Sequence, residues 1–315
     1  MRVLITGAAG FIGSHLVEKY LKEGWEVIGL DNFLTGKVDN IEEFFAHPNF
    51  TFIKYDVTNF LYVKGSLDLI LHFACPASPL HYMKHKIHTM KVDSIGTLHA
   101  LGLAKEKKAR FVLASSSEVY GDPEITPQHE GYRGNVSPVG PRSVYDEAKR
   151  FSEALSMAYY REHGVDVRIA RIFNTYGTKM AFDDGRVIPN FLKQAILGEP
   201  ITVFGDGSQT RSFCYIKDMV EAIYKLSIKE GIAGEVVNLG NPDELTILKL
   251  AEIIKDLTGS SSVIKFLPLP EDDPKRRRPD ISKAKRLLNW EPKYNLKEGL
   301  EEVIPWFKKR ILKKE

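Results

Sequence analysis

The 315-residue sequence has few of the features that hold small or unusual chains together. It carries two cysteines, Cys75 and Cys214, and neither belongs to a C-x-x-C pair. That excludes a disulfide framework and a cysteine zinc site, and it fits a reducing compartment. No apolar run approaches the ~18 residues that span a bilayer, so no membrane partner is expected. The charges nearly cancel: 44 Lys and Arg stand against 41 Asp and Glu, and the net charge of +3 does not suggest nucleic acid. The opening "MRVLITG" runs from a short apolar stretch straight into glycines, unlike a signal peptide, and a cytoplasmic location is expected. Internal repeats, low-complexity segments and metal-ligand clusters are missing. What is left is 43% hydrophobic and 27% charged, an ordinary globular composition, in a chain long enough to bury a full core.

Apolar patterning supplies the architecture. "RVLITG", "EVIGLD", "TFIKYDV", "LDLILHFA", "ARFVLASSS" and "VDVRIARIFN" read as six near-continuous buried strands. "FIGSHLVEKYLKEG" has helical spacing at Ile12, Leu16, Val17 and Leu21 and stops at Gly24. Further helices are expected over Met90–Lys107 and from about Ser143 to Glu162. Strands alternating with helices predict an α/β fold, a Rossmann-like doubly wound parallel sheet. Beyond Asn174 glycine and proline become frequent and helices dominate, while "EVVNLG" reads as a strand returning to the first sheet. The expected division is a dinucleotide-binding domain over 1–174, joined again by 211–241, and a smaller interleaved domain over 175–210 and 242–315. The basic end "FKKRILKKE" reads as the solvated end of a helix.

"TGAAGFIG" sets Gly7, Gly10 and Gly13 between the first strand and the first helix. Glycines there permit a tight turn, close approach of backbone to a pyrophosphate, and close helix packing. The helix N-terminus then offers free N–H groups to phosphate. Asp31 ends the second strand about 20 residues on, where a carboxylate accepts from both ribose hydroxyls and repels a 2′-phosphate. NAD is therefore the expected cofactor, rather than NADP. The same site takes in Phe11 and Ile12 in the glycine turn, and Asn32, Thr35 and Gly36 beyond Asp31. Asp56, placed to meet the adenine amino group, joins it with Val57. Phe73, Ala74 and Cys75 after the fourth strand and Ala114 in the fifth complete it.

Tyr145 and Lys149 form Y-x-x-x-K on a predicted helix, on one face. A tyrosine with a pKa near 10 is a poor base at neutral pH. An ammonium and a nicotinamide cation beside it would stabilise the phenolate and let it take a proton from a sugar hydroxyl.

With "SSSEVYG" and "RIFNTYG", these motifs resemble those of the extended short-chain dehydrogenase/reductases that act on nucleotide sugars, over essentially the whole chain. Within that family "ACPASP", "SSSEVYGDP", "YDEAKR", "DDGRVIPNF", "SQTRSFCYIKDMV" and "RRRPDISKAKRLLNWEP" are similar to the branch that decarboxylates UDP-glucuronate to UDP-xylose and regenerates NAD. The resemblance implies that Ser116 partners Tyr145 and Lys149 at the sugar 4-hydroxyl. It places an acid at Glu118, and Ser117-Glu118 stands where 4,6-dehydratases carry Asp-Glu. Glu118 without the aspartate argues against water elimination. As an anion, Glu118 is expected to repel the substrate carboxylate and so favour its loss. Lys91, Asn174, Arg186, Arg211 and Arg277 are the implied substrate contacts, the arginines for the diphosphate. Ser282, where ketone-releasing relatives carry arginine, points to the xylose-forming branch. A homodimer built on the helices around Met90–Lys107 and Tyr145–Glu162 is also implied. The alternatives are a UDP-glucuronate or UDP-glucose 4-epimerase using the same Tyr145 and Lys149, and a non-catalytic nucleotide-sensing or RNA-associated protein of this fold.

Overall fold

The computed structural model describes residues 1–183, 185–268 and 276–312. Asp184, Lys275 of the "KRRRPD" run and the last three residues of the basic end lie outside them. Six strands follow the predicted order: β1 (Arg2–Thr6), β2 (Glu26–Asp31), β3 (Phe50–Lys54), β4 (Leu69–His72), β5 (Arg110–Ser116) and β6 (Val167–Ile172). With the strand Val236–Leu239 they form one seven-stranded sheet, in the order Val236–Leu239, β6, β5, β4, β1, β2, β3, and every pairing is parallel.

Strand side chains alternate between the two faces, and both faces are covered. Val3, Ile5, Leu69, Leu71 and Val237 share one core with Leu16, Val17 and Tyr20 of the helix α1 (Phe11–Lys22) and with Met219, Ile223 and Leu226 of the helix Ile216–Ile228. Leu4, Ile28, Ile70, Phe111 and Ile169 share the other with Ala100, Leu101 and Ala104 of the helix Thr97–Lys107. This two-sided burial is why the strands read as continuous apolar runs.

The sheet order reverses at β1 and β4, and the two chains leaving these strands part there. Such a switch point opens a crevice beyond the carboxyl ends of the strands. The segment predicted as one helix from Met90 starts earlier, at Lys86, and contains a π-turn over Val92–Gly96 before it continues as Thr97–Lys107. The helix Ser143–His163 lies across it. Over the crevice sit small sheets: Thr210–Ser212 with Glu244–Thr246 and Arg276–Arg277, and Ile201–Phe204 with Ile264–Leu267. The third strand ends at Lys54, so Asp56 lies beyond it in a turn.

Candidate active site

The chain leaves β1 at Thr6 and turns at Gly7 with φ +72°. A Cβ on Gly7 would stand 2.7 Å from the Phe73 carbonyl oxygen, and one on Gly13 would stand 2.0 Å from the Gly7 carbonyl oxygen. Bare backbone is what lets α1 start hard against the strand ends, with its N-terminus facing the cleft. The Thr6 hydroxyl accepts from the N–H groups of Phe73 and Ala74, both at 3.1 Å, and its own proton goes to His72 Nδ1 at 3.0 Å. The loop after β4 is thereby tied to β1. His72 is buried, which pushes its imidazole down to about 3, so it is a neutral structural residue.

Asp31 is buried at the end of β2. Its Oδ2 accepts from the Ala9 N–H at 3.0 Å and its Oδ1 from the Phe33 N–H at 2.7 Å. Burial pushes this carboxyl up, against the pull of those N–H groups. Gly36 sits against it: a Cβ there would lie 2.9 Å from both carboxylate oxygens. Asp56 is bound by the Asn32 amide at 2.9 Å and by the Thr58 N–H and hydroxyl at 2.9 and 2.7 Å. Burial works against its charge, but these donors hold its carboxyl below the usual range. Asp31, Asn32, Asp56, Val57 and Ala74 line a recess of about 60 Å³ that also touches Gly7 and Gly10.

A larger cleft of about 540 Å³ runs on from it. Gly7, Gly10, Phe11, Ile12, Gly13, Thr35, Phe73, Cys75 and Ala114 line its cofactor side, with Ser116, Glu118, Tyr145 and Lys149 beyond. Tyr145 is buried, lines the cleft together with Ser116, and is stacked on Tyr82 with ring centroids 4.9 Å apart. Lys149 Nζ lies 5.6 Å from the Tyr145 ring centroid and donates to Asp93 Oδ1 at 2.8 Å and to the Ala114 carbonyl at 3.0 Å. Burial pushes the Tyr145 phenol well up, and Lys149 and Ser116 pull it back only in part. The expected lowering is thus outweighed by burial, to which Cys75 and Asp93 add.

Glu118 follows β5 in a short 3-10 turn, where its N–H donates to Ser116 Oγ at 3.2 Å. It is held by two arginines: Arg142 donates to Oε2 at 2.8 Å, and Arg277 donates to both oxygens. Burial alone would raise its carboxyl, but Arg277 and Arg142 pull it down to about 2. Two guanidiniums around one carboxylate make this end of the cleft attractive to an anion, which reverses the repulsion expected from Glu118. Asp146 lies beneath, its Oδ1 buried without a partner among the described residues. Burial first and the Glu118 charge second push its carboxyl up to about 7.

Of the implied substrate contacts, Asn174, Arg186, Arg211 and Arg277 line the cleft. Arg277 reaches the cleft as a partner of Glu118; Arg276 pairs with Glu244 on the outside, and Arg278 donates to the Pro242 carbonyl. Lys91 is exposed on its helix and does not line the cleft, whose lysines are Lys37, Lys149 and Lys179. Ser282 is likewise exposed, opening the helix Ser282–Leu288, and is not among the residues lining the cleft. Arg142, Asp146, Asp93 and Tyr82 were not foreseen. Arg142, three residues before Tyr145, and Asp146, directly after it within "YDEAKR", had a signal; Asp93 and Tyr82 had none.

The family model described as GDP-mannose 4,6 dehydratase matches residues 4–303. The chain is 52% identical over 310 residues to UDP-glucuronic acid decarboxylase 1 of Danio rerio, covering 98% of this chain and 73% of the relative. It is 52% identical over 312 residues to UDP-glucuronic acid decarboxylase 6 of Arabidopsis thaliana, covering 99% and 90%. A solved UDP-glucuronic acid 4-epimerase from Bacillus cereus, in complex with UDP-glucuronic acid and NAD, superposes with a TM-score of 0.87 at 31% identity, covering 98% and 100%. With its glycine turn, its parallel sheet and Tyr145 and Lys149 in one cleft, the chain belongs to the extended short-chain dehydrogenase/reductase family.

Proposed function

We propose that this protein decarboxylates UDP-glucuronate to UDP-xylose, with NAD bound throughout. The observation that carries the reading is Glu118, clamped by Arg142 and Arg277 in the cleft that holds Tyr145 and Lys149, with serine and not aspartate before it. Relatives half identical over nearly the whole chain bear the decarboxylase name, which favours it over a 4-epimerase.

The residues present fit NAD. The glycine turn leaves a cradle that a Cβ would fill, and Asp31 stands beside it for the ribose. Gly7, Gly10 and the start of α1 would hold the pyrophosphate, Asn32 and Asp56 the adenine side, and Phe73, Cys75 and Ala114 the nicotinamide side. When bound, NAD⁺ accepts hydride from carbon 4, returns it at the end, and adds positive charge beside the phenol.

Tyr145 takes the proton of the 4-hydroxyl, through or beside Ser116, and Lys149 steadies the phenolate. The resulting 4-keto sugar carries its carboxylate beta to the ketone, so carbon dioxide leaves to give an enolate. Arg142 and Arg277 draw the carboxylate into place, and Glu118 orders the water or proton that reaches carbon 5. Tyr145 then gives its proton back to the 4-oxygen. Asn174, Arg186 and Arg211 face the diphosphate.

Residues 1–174 with 211–241 would carry the cofactor, and 175–210 with 242–315 the nucleotide sugar. The exposed apolar side chains Ile87, Met90, Ile95, Leu98 and Phe151, on the crossing helices, fit a homodimer interface. No helix of the described residues is long and apolar enough to cross a membrane. Both cysteines are free thiols, which fits the cytoplasm.

Incubation with UDP-glucuronate and NAD⁺, read by mass spectrometry, tests the activity. The expected product is UDP-pentose with release of carbon dioxide, and Tyr145→Phe should slow it by about 10²–10⁴-fold. A galacto-configured hexuronate without carbon dioxide would refute decarboxylation in favour of epimerisation.

A further inference from the structure

Four ionisable side chains meet around Glu118, and their charges do not balance. Arg277 is 4% exposed and donates to both Glu118 oxygens and to the Gly121 carbonyl, so its two terminal nitrogens are taken. Arg142 is less bound. Among the described residues its guanidinium makes one hydrogen bond, to Glu118 Oε2 at 2.8 Å, and 26% of its side chain is exposed where it lines the cleft. A guanidinium has five N–H donors, so Arg142 keeps donors for a ligand.

Asp146 stands one helical turn behind Arg142. Its Oδ2 is 4.0 Å from Arg142 Nε, beyond hydrogen-bond reach. Its Oδ1 is buried without a partner among the described residues. Two guanidiniums and the Glu118 carboxylate sum to one positive charge, and Asp146 decides what becomes of it. As an anion it would cancel that charge and leave a buried carboxylate short of donors. As a neutral acid it leaves the charge in place, beside the arginine that still has N–H groups to offer. Burying an ion without donors costs more than burying the acid. The groups facing Asp146 are Glu118 from the turn after β5, Arg277 from the strand Arg276–Arg277, Tyr82 from the helix Pro79–Lys84, and Arg142 and Glu147 beside it in the chain. The arginines favour its anion; burial and Glu118 oppose it and prevail.

We propose that Asp146 sets the preference for an acidic sugar: held as the neutral acid behind Arg142, it leaves the Glu118 cluster one uncompensated positive charge, which the carboxylate of the nucleotide sugar neutralises. Asp146 does not line the cleft and acts through Arg142. The inference rests on the reading of UDP-glucuronate as the substrate. Binding of that carboxylate and retention of the proton on Asp146 then require each other.

The test compares UDP-glucuronate with UDP-glucose, which carries a hydroxymethyl group in place of the carboxylate. Both are titrated into the NAD-loaded Tyr145→Phe protein, so that dissociation constants are read with turnover held down. The Asp146 carboxyl lies at about 7. If the carboxylate binds only its neutral form, the preference for UDP-glucuronate over UDP-glucose should fall about tenfold from pH 6 to pH 8. Adding Asp146→Asn, which has no such proton to lose, should hold the preference constant over that range. Calorimetry at pH 7 in buffers of different ionisation enthalpy should count about half a proton taken up with UDP-glucuronate and none with UDP-glucose. A purely structural Asp146 would move neither readout. A preference that is constant with pH before Asp146 is changed overturns the proposal and leaves the glucuronate reading standing. A preference that falls equally in Asp146→Asn assigns the titration to another group and overturns it too. No preference for UDP-glucuronate at any pH sinks both readings. Should Asp146→Asn fail to fold, Asp146→Ala carries the same expectation.

Discussion

Replacing Asp146 by asparagine should make the protein more stable, and increasingly so as the pH rises. Asp146 is 6% exposed, and its Oδ1 has no partner among the described residues. Burial and the neighbouring Glu118 charge push its carboxyl from 3.8 to about 7. Between these values the unfolded chain has released the proton while the native protein keeps it. The native state then binds more protons, so stability falls as the pH rises through this window. About three pH units at about 1.4 kcal/mol each give a loss on the order of 4 kcal/mol. Asparagine has no such proton, and its shape matches the neutral acid. The advantage of Asp146→Asn over wild type should therefore grow by on the order of 4 kcal/mol from about pH 4 to about pH 8. Urea unfolding followed by tryptophan fluorescence (Trp25, Trp290 and Trp306) at a series of pH values measures it. Parallel stability curves for the two proteins would show that Asp146 is ionised throughout and that the charge balance drawn for the Glu118 cluster is wrong.

Gly13→Ala puts a methyl 2.0 Å from the Gly7 carbonyl oxygen; it should cost about 1–3 kcal/mol and weaken NAD binding, as calorimetry and a lowered Tm would report. Asp31→Asn should reduce the preference for NAD over NADP at least about tenfold in fluorescence titrations; an unchanged ratio would remove Asp31 from the ribose site. Ile87→Glu with Phe151→Glu puts charges at side chains now 68% and 51% exposed on the crossing helices. Sedimentation should then report a monomer for the substituted protein and a dimer for the parent.

The sheet was legible because both its faces are buried. Runs such as "RVLIT" and "RFVLA" have no polar face to confuse with a helix, and all seven strands lie within a few residues of their expected places. The glycine turn, Asp31, Tyr145 and Lys149 were legible for another reason: their spacing along the chain is itself the geometry of the site. The π-turn was not legible, since the apolar spacing around Val92 and Gly96 reads as ordinary helix. Its last residue, Gly96, packs so closely on Val57 that a Cβ would lie 2.9 Å from a Val57 methyl, a tertiary contact the local pattern does not carry. Nor was the company that Glu118 keeps. Arg277 is 159 residues away in sequence and arrives on a strand of a small sheet. A lone acid in a motif reads as an anion until the fold brings its cations. Lys91 misled in the opposite way, since its helix was foreseen but not the direction in which that side chain points.

The seat of Asp31 also bears on how this enzyme could change over evolutionary time. Its two oxygens terminate the Ala9 and Phe33 N–H groups, and Gly36 leaves no room beside it. A descendant adopting a phosphorylated cofactor would have to lose a carboxylate that also satisfies buried backbone. It would then need new acceptors for two amides before it gained any cation for the phosphate. No single codon change supplies both, so cofactor choice in this lineage is guarded by the folding of the loop as well as by selection on the reaction.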